Sequence, residues 1–374
     1  MKNSVLGKII QENQIIANLT IQLNNLLQQL NQANPQQAAQ LQVQIQQLDQ
    51  QIKLNSGDKK RADLIDSIEK ITNRRLITYF SIFGSISDRD SKIIEDFLYS
   101  HKITSFDILI DSPGGFTDAS EKMIKICRMR SGNDENFDFR TIVVNQAKSA
   151  ATLFALGSSK ILLSKTAELG PVDPQIIVFA PNGDKIRDSA HQIFYGSQKF
   201  LNNANRFFNF RKDGDLLLLS KYDPIAMKRA EVAISHTNDI IAKRVYTNPY
   251  LNNGYKENDK NKIKEELKIF TEHEASHSHG RPIYYEDIKG YEFCKNKFIQ
   301  KIEDFYTNDE HRNPNDVQRL EDLLWELTIR SLEVVRPTAE PIIDQNGNQI
   351  GFNQVAYKLF ESSTGLILTK DVTN

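Results

Sequence analysis

The segment FDILIDSPGGFTDASEKMIKICRMR, residues 106–130, decides the fold. An apolar run, FDILID, opens it and is typical of a buried strand, while TDASEKMIKICRMR closes it with helical spacing. The order then repeats, because FRTIVVNQ (139–146) is typical of a strand, SAATLFALG (149–157) of a short helix and SKILLS (159–164) of another strand. Repeated strand–helix units predict an α/β fold with a parallel sheet and right-handed crossovers.

The same alternation extends upstream, and helices dominate downstream. RLITYFSIFG (75–84) is typical of a buried strand, and SDRDSKIIEDFLYS (87–100) of a helix with a capping residue at its start. Helical periodicity then recurs at 199–210, 226–245, 262–270 and 317–334. The stretch EPIIDQNGNQIGFN (340–353) predicts a late hairpin that turns at Asn346-Gly347.

The N-terminal segment, residues 1–57, is rich in Gln and Asn and almost free of charge. Apolar residues recur there at steps of three and four in two stretches, namely Ile16, Leu19, Leu23, Leu26 and Leu30, then Leu41, Ile45, Leu48 and Ile52. Pro35 lies between the stretches and cannot continue the first helix. The pattern predicts an antiparallel helical hairpin or a coiled coil that oligomerises. The alternative is a polar low-complexity tail.

These patterns divide the chain into four predicted parts. Residues 1–57 form the hairpin, and NSGDKK (55–60) is typical of a linker, so that 58–73 is a linker or a helix. Residues 74–300 form the α/β core, and 301–374 form a mostly helical extension that includes the late hairpin.

Composition excludes several classes of protein. Lys and Arg number 47 against 48 Asp and Glu, so charge offers no case for binding nucleic acid or an anionic membrane. The two cysteines form no CxxC motif, which argues against a disulfide framework or a thiolate zinc site and favours a reducing cytoplasm. No signal peptide is recognisable, and no stretch approaches the ~20 apolar residues of a membrane span. We therefore expect a soluble, cytoplasmic protein.

The first unusual loop follows the strand at 106–111 and contains Gly114 and Gly115. Two glycines let the backbone approach a ligand closely, and their N–H groups at a helix start can bind negative charge. Neither GxGxxG nor GxxxxGK[ST] is present here, so we expect no nucleotide cofactor. The loop favours an oxyanion hole. The alternative is a tight turn that only joins strand to helix.

The second loop follows the strand at 139–146 and contains Ser149 where strand becomes helix. A serine at this position is most often an N-cap. Here, however, Ala147, Ala150 and Ala151 remove bulk around the hydroxyl, as a substrate carbonyl would require. We expect the Gly-Gly loop on the adjacent strand of the sheet. A nucleophile that faces oxyanion donors is the arrangement used for acyl transfer.

Consecutive motifs in these loops resemble a known family. ILIDSPGGFTDASEKM (108–123) with VNQAKSAATLFALGSSKILLSKTAELGPVDPQ (144–175) is similar to the serine dehydrogenase proteinase family. That family belongs with signal peptide peptidase A and the Clp protease proteolytic subunits on the crotonase-like fold. The resemblance covers roughly 74–198 and resumes at HGRPIYYEDIKGYEF (279–293). It implies a ClpP/crotonase-like core, a polypeptide substrate and a homo-oligomer.

The resemblance also implies roles for individual residues. Ser149 would be the nucleophile, and the amides of Gly114 or Gly115 and of Ala150 would form the oxyanion hole. The family name implies serine dehydrogenation as well, but we find no nicotinamide-binding motif to support it. The competing class is a non-catalytic oligomeric scaffold or binding protein on the same fold.

The general base departs from both related families. Where the Clp subunit carries a histidine, this chain has Asp173, which could orient a base but is a poor base itself. Signal peptide peptidases use a lysine kept neutral by burial. The comparable region, RDSAHQIFYGSQKF (187–200), offers His191 and Lys199, of which we favour His191. Lys148, next to the serine, ranks third.

One further motif offers a different chemistry. His273-Glu274-Ala275-Ser276-His277 is a literal HExxH, which on a helix would hold zinc with the glutamate as general base. Gly280 and Pro282 end any helix just after it, whereas a zinc peptidase of this kind continues to a third ligand. We therefore expect a solvated loop and no metal at this motif.

The expected polypeptide substrate includes membrane-proximal proteins, although the sequence shows no transmembrane segment.

Overall fold

The computed structural model describes residues 4–82, 85–179, 185–204, 223–251, 260–271, 281–343, 349–363 and 365–372. The chain forms two compact units. The central unit is Phe83–Phe305, and the terminal unit combines Met1–Ile82 with Tyr306–Asn374. The strand predicted at 75–84 therefore lies largely in the terminal unit, although the sequence analysis assigns it to the core.

A helical hairpin begins the terminal unit. Helix α1 is Val5–Leu30 and helix α2 is Pro35–Asn55, and the two pack against each other. The break falls at the expected place, because Asn34 caps α2 by accepting a hydrogen bond from the N–H of Gln37, and Pro35 is the first helical residue. A proline is tolerated there since its missing N–H would have no intrahelical partner.

Of the two alternatives predicted for residues 58–73, a linker or a helix, the structure has the helix. Helix α3, Gly57–Thr72, begins only two residues after α2 ends, and the Ser56 hydroxyl caps it by accepting from the N–H of Lys59 at 3.2 Å. A Ser-Gly pair is therefore used as a cap and first turn rather than as a flexible connection. Helix α3 ends at Asn73, whose φ of 55° is left-handed.

The terminal unit also contains an antiparallel sheet and a long helix. Its remaining elements are β1 (Arg75–Ser81), all but the first residue of a π-helical turn (Phe305–Asp309), α12 (Pro314–Val334), β11 (Thr338–Ile343), β12 (Gln349–Ser362) and β13 (Gly365–Val372). Strand β12 pairs with β13 on one edge and with β11 and β1 on the other. The turn predicted at Asn346-Gly347 lies outside the described residues, but the strands on both sides of it pair with each other. The sequence analysis did not predict β13.

A buried ion pair holds α3 to β12. Arg61 Nε donates to Glu361 Oε2 at 2.8 Å, and each side chain is only 2% exposed. A second guanidinium nitrogen of Arg61 donates to Asp58 at 2.6 Å. Burial raises the pKa of Glu361, and this effect outweighs the opposing charge of Arg61. The pair therefore depends on both partners being present.

We expect Arg61→Met to destabilise the terminal unit by about 3–5 kcal/mol, because it leaves the Glu361 carboxylate buried without its cation. Denaturant unfolding followed by the fluorescence of Trp325, the single tryptophan of the chain, measures this loss. Lys59→Met on the same helix is the control. It breaks an exposed pair with Asp63 that is worth less than about 1 kcal/mol. Equal losses in the two variants would contradict the expectation.

The central unit contains the predicted parallel sheet. Its parallel strands are β2 (Phe106–Asp111), β3 (Phe139–Val143), β5 (Ile161–Leu163) and β10 (Ile299–Lys301). They lie in the order β10-β5-β3-β2, with Ile108 opposite Thr141 and Ile142 opposite Leu162. The parallel arrangement and the adjacency of β2 and β3 are confirmed. Two smaller sheets join β4 (Gln146–Ala147), β6 (Glu168–Leu169) and β9 (Ile283–Tyr284), and pair β7 (Gln175–Phe179) with β8 (Lys185–Ser189).

The described helices of the central unit begin and end close to where their patterns predict. They are α4 (Asp88–Ser100), α5 (Thr117–Arg130), α6 (Ala150–Leu156), α7 (Ala190–Ala204), α8 (Pro224–Arg244), α9 (Lys260–Thr271), α10 (Tyr285–Ile288), α11 (Glu292–Lys295) and a turn at Ile302–Asp304. The helix predicted from 199 is the exception. It begins at Ala190, because the Ser189 hydroxyl accepts from the N–H of Gln192 and starts it earlier. Across the described ranges, no helix combines the length and apolar character needed to cross a bilayer.

Both cysteines lie inside the central unit as free thiols. Cys127 is on α5 and Cys294 on α11, and both side chains are buried. Burial raises the pKa of both thiols, that of Cys294 to about 12. Neither is therefore a reactive thiolate at neutral pH.

Candidate active site

The sheet brings the two unusual loops to one edge. Because β2 and β3 are parallel neighbours, the segments that follow them leave the same end of the sheet. Backbone hydrogen bonds then join the segments directly. The N–H of Ser112 donates to the carbonyl of Gln146 at 3.2 Å, and the N–H of Lys148 donates to the carbonyl of Ser112 at 3.0 Å. The predicted loops are therefore one structural element.

Ser149 adopts a backbone conformation that serines rarely adopt. Its φ is 51° and its ψ is −119°, at the residue that precedes α6. The hydroxyl makes no capping hydrogen bond to the helix, so the N-cap alternative does not describe it. Left-handed φ values at non-glycine residues cost of order 1–3 kcal/mol and concentrate at functional sites. Ser149 is 6% exposed, among the fully buried Ala147, Ala150 and Ala151.

Gly114 touches the turn that carries Ser149. A Cβ atom at Gly114 would lie 2.7 Å from Ser149 Cβ and 2.6 Å from the carbonyl oxygen of Lys148. Its φ of +103° is also a value that side chains disfavour. Only glycine fits here. Gly115, at φ +156°, is pressed against the backbone of Ile86 in the same way.

Two backbone amides remain available at this contact. The N–H of Gly114 donates to the Ser112 hydroxyl at 3.1 Å. Among the described residues, by contrast, the N–H groups of Gly115 and Ala150 have no acceptor. Amides that no protein group satisfies, on both sides of a serine turn, can bind a negatively charged oxygen. The geometry thus distinguishes Gly115 from Gly114, which the sequence left as equals.

His191 and Asp173 meet in the same unit. His191 Nδ1 donates to Asp173 Oδ1 at 2.6 Å, and the two residues are 5% and 3% exposed. A carboxylate only accepts hydrogen bonds, so the hydrogen is on Nδ1 and Nε2 is left as the basic nitrogen. The imidazole stacks on the ring of Tyr195, with 5.9 Å between centroids. A contact of this kind can hold a histidine in one orientation and one tautomer.

The sequence analysis missed the hairpin that creates this contact. Strands β7 and β8 are antiparallel with Gln175 opposite Ser189, so the residues just before and just after the hairpin lie side by side. The N–H of Ala190 also donates to the carbonyl of Pro174 at 2.8 Å. A signal was present in the sequence, since Asn182-Gly183 between IIVF and KIRD is a typical hairpin turn. That turn itself lies outside the described residues.

The chain also connects Asp173 to the Ser149 turn. Gly170 donates its N–H to the Thr152 hydroxyl at 3.1 Å, and a Cβ on Gly170 would lie 3.0 Å from Lys148 Cγ. Asp173 is three residues beyond Gly170, a span of at most about 11 Å. Asp173 therefore lies in the same part of the central unit as the Ser149 turn.

The other base candidates have different surroundings. Lys148 Nζ forms an ion pair with Glu168 at 2.9 Å. Lys199 lies on α7, about 12 Å along the axis from His191, and its side chain is outside the described part of the structure. The HExxH segment 273–277 also lies outside the described residues. Within the part that is described, no three His, Cys, Asp or Glu side chains are grouped closely enough to hold a metal ion.

A further acidic residue ends β2, directly before the Ser112–Gly115 loop. Asp111 is 1% exposed, and its Oδ2 accepts from Asn145 Nδ2 at 2.9 Å. Its Oδ1 is buried and has no hydrogen-bond partner among the described residues. Burial raises the pKa of Asp111 to about 7, against the lowering effect of hydrogen bonds from Asn145 and Gln146. The sequence analysis overlooked it, although an acid that ends an apolar strand is itself a signal.

Comparison with known proteins supports the family resemblance. Residues 23–187 match the family model of the ClpP-like SDH-type serine proteinases, which confirms the resemblance found in the sequence over that segment. The segment includes Ser149, both glycines and Asp173, and it ends before His191 and Lys199. The α/β fold with its largely parallel sheet is the fold expected of that family.

Individual relatives cover only part of the chain. Uncharacterized protein MJ0137 of Methanocaldococcus jannaschii is 29% identical in a 144-residue alignment that covers 35% of this chain and 49% of that protein. Uncharacterized protein MJ1495 of the same organism is 30% identical in a 155-residue alignment that covers 37% of this chain and 50% of that protein. The chain thus spans about half the length of the curated relatives it matches. A solved structure of 1510-N membrane-bound stomatin-specific protease is 19% identical over 35% of this chain and 63% of its own, at a TM-score of 0.23.

Proposed function

We propose that the protein is a serine peptidase whose nucleophile is Ser149. One observation carries the proposal: the strained Ser149 turn is packed against Gly114, with the available N–H groups of Gly115 and Ala150 beside it. A serine that served only as a cap would bond to its own helix and would need neither strain nor adjacent free amides.

His191 is the general base of this proposal, with Asp173 as the residue that orients it. The 2.6 Å contact to Asp173 fixes the imidazole tautomer, leaving Nε2 to accept the serine proton. Lys199 is the alternative base, one that would have to be neutral to act.

The reaction then proceeds in two steps. Ser149 Oγ bonds to the carbonyl carbon of a peptide while its proton passes to the base. The carbonyl oxygen becomes an oxyanion held by the N–H groups of Gly115 and Ala150. The C–N bond breaks as the base returns the proton to the leaving amine. Water, deprotonated by the same base, releases the acyl group and regenerates the hydroxyl.

Labelling with a fluorophosphonate probe tests the proposal. The Ser149 oxygen would bond to phosphorus, fluoride would leave, and the base would take the proton. We expect labelling of the full-length protein, no labelling of Ser149→Ala, and labelling slowed about a thousandfold in His191→Ala. Lys199→Ala is the matched comparison and should label at the wild-type rate.

Each other outcome has a meaning. Loss of labelling in Lys199→Ala but not in His191→Ala would show that Lys199 is the general base. The assignment of Ser149 as the nucleophile would not change. A folded wild-type protein that resists the probe would refute the peptidase. The hypothesis of a non-catalytic scaffold protein would then gain support. The next measurement would be the metal content of the purified protein, to test the HExxH motif.

We also propose that the protein self-associates through α1. A second apolar stripe, Leu6, Ile10, Ala17 and Ile21, recurs at heptad spacing away from the face predicted to pack on α2. Leu6, Ile10 and Ile21 are 48%, 57% and 59% exposed. Lys8 and Glu12 are paired with Glu326 and Arg330, and residues 13–48 include no charged side chain and no aromatic one. This surface therefore suits neither a charged partner nor a lipid interface. A second copy of the same stripe is its natural partner, in a homo-oligomer that works in the cytoplasm.

The double variant Ile10→Asp/Ile21→Asp should convert an oligomer into smaller species, since buried aspartates repel across a twofold contact. Light scattering on a sizing column measures the mass. Ile15→Asp is the control, because Ile15 is 48% exposed on the same helix but off the stripe. A monomeric wild type, or an oligomer that survives the double change, would contradict this surface.

A further inference from the structure

Asp111 is an acid that the reaction described above does not use, although it lies next to the groups that do. It ends β2, and the chain from it to Gly114 spans three residues, so the Cα atoms of the two residues lie within about 11 Å of each other. On the other side it accepts a hydrogen bond from Asn145, at the start of the loop that carries Ser149. Asp111 thus directly precedes one loop of the site and is hydrogen-bonded to the other.

The surroundings of Asp111 favour its neutral form. The side chain is 1% exposed, and Oδ1 is buried without a donor among the described residues, which a carboxylate tolerates poorly. The charged group that acts on it is Glu168 on β6, which is itself paired with Lys148, and its negative charge also opposes ionisation. The polar groups around it are the amide side chains of Asn145 and Gln146. Its pKa of about 7 agrees with this geometry.

Ionisation of Asp111 would act on the oxyanion. Acyl transfer places a negative charge between the N–H groups of Gly115 and Ala150, and a second buried charge nearby repels it. Coulomb repulsion between two unit charges about 10 Å apart, at an effective dielectric constant of about 20, is enough to slow a step by about tenfold. A proton on Oδ1 removes the repulsion, and Oδ2 keeps its hydrogen bond from Asn145.

We propose that Asp111 is a positioning residue that joins the two loops of the site and that must hold a proton for the oxyanion hole to reach full strength. The proposal rests on the proposed function, because the oxyanion belongs to acyl transfer at Ser149. Loss of the proton as pH rises lowers the rate without changing the nucleophile or the base.

The test compares Asp111→Asn with wild type. Asparagine keeps the shape and the acceptor for Asn145 but carries no charge. The readout is the ratio of the fluorophosphonate labelling rates of the two proteins between roughly pH 5.5 and pH 8.5, in which the titration of the base cancels. We expect a ratio near one at the acidic end that rises to about tenfold, in favour of the variant, at the alkaline end. Asp118→Asn, which changes an exposed acid on α5 of the same unit, should give a flat ratio.

A ratio that is flat, or that lies below one throughout, would overturn the proposal and leave Asp111 with a structural role. A second measurement, made in the Ser149→Ala background, does not need activity. An acid whose pKa is raised by folding loses stabilisation as pH rises through that pKa. The unfolding midpoint of the Asp111→Asn protein minus that of its parent should therefore increase as the pH is raised from the acidic to the alkaline end of the range. A constant gap would refute proton binding at Asp111. Failure of wild-type labelling would refute the peptidase and, with it, the oxyanion role.

Discussion

Replacing Gly114 with alanine is expected to slow labelling of Ser149 by about a thousandfold. The new Cβ would lie 2.6 Å from the carbonyl oxygen of Lys148 and 3.0 Å from the amide nitrogen of Ala150. Both are backbone atoms that cannot turn aside, so the serine turn must shift relative to the oxyanion amides. A misplacement of about 1 Å costs on the order of a hundredfold, and loss of an oxyanion donor costs 10²–10³-fold as an order-of-magnitude estimate.

Gly290→Ala is the matched control for this change. A Cβ at Gly290 meets no atom within 4 Å, so the substitution adds the same methyl group to the same unit without a clash. It should label at the wild-type rate. Circular dichroism and thermal unfolding should show that Gly114→Ala is still folded. Normal labelling of Gly114→Ala would refute the close contact as a requirement for the chemistry.

Asp173→Asn is expected to lower the labelling rate by roughly a thousandfold or more while the protein stays folded. The asparagine amide presents a donor where the carboxylate accepts, so the His191 tautomer that keeps Nε2 basic is no longer favoured. A Ser-His-Asp arrangement loses about this much when its acid becomes an amide. The measurement is the labelling rate at a fixed probe concentration, with the amount of folded protein determined independently.

Asp118→Asn is the control for the acid. Asp118 on α5 contacts His236 on α8, another Asp–His pair of the central unit, and both side chains are exposed. Loss of that pair should leave labelling unchanged. Equal effects of the two substitutions would show that the Asp173 result comes from a general loss of Asp–His contacts and not from the base.

The fold and the serine turn could be predicted because their signals are local. FDILID and FRTIVV are apolar runs bounded by turn residues, and both form neighbouring parallel strands. The glycines and alanines around Ser149 indicate that another backbone segment or a ligand comes close to it, because only small residues leave room for such an approach. Ser189 was harder to recognise, since a polar residue after a strand is as typical of a loop as of a cap, and α7 starts nine residues before its predicted start.

The partner of His191 could not be read from apolar periodicity. Asp173 and His191 are 18 residues apart and meet only because β7 pairs with β8. The state of Asp111 was equally hidden, because its pKa depends on a burial that a single strand position does not reveal. The strained φ of Ser149 depends on tertiary packing, which overrides the local preference of serine for a cap.

The two buried thiols of the central unit make it possible to measure how often that unit opens. Cys127 and Cys294 are 0% and 6% exposed, and the terminal unit contains no cysteine. An alkylating reagent therefore modifies these thiols only when the central unit opens around them. The rate of modification measures the rate of that opening. Because one thiol lies on α5 and the other on α11, comparing their rates would show whether the two regions open together. The native cysteines thus allow local opening of the central unit to be measured without an introduced label.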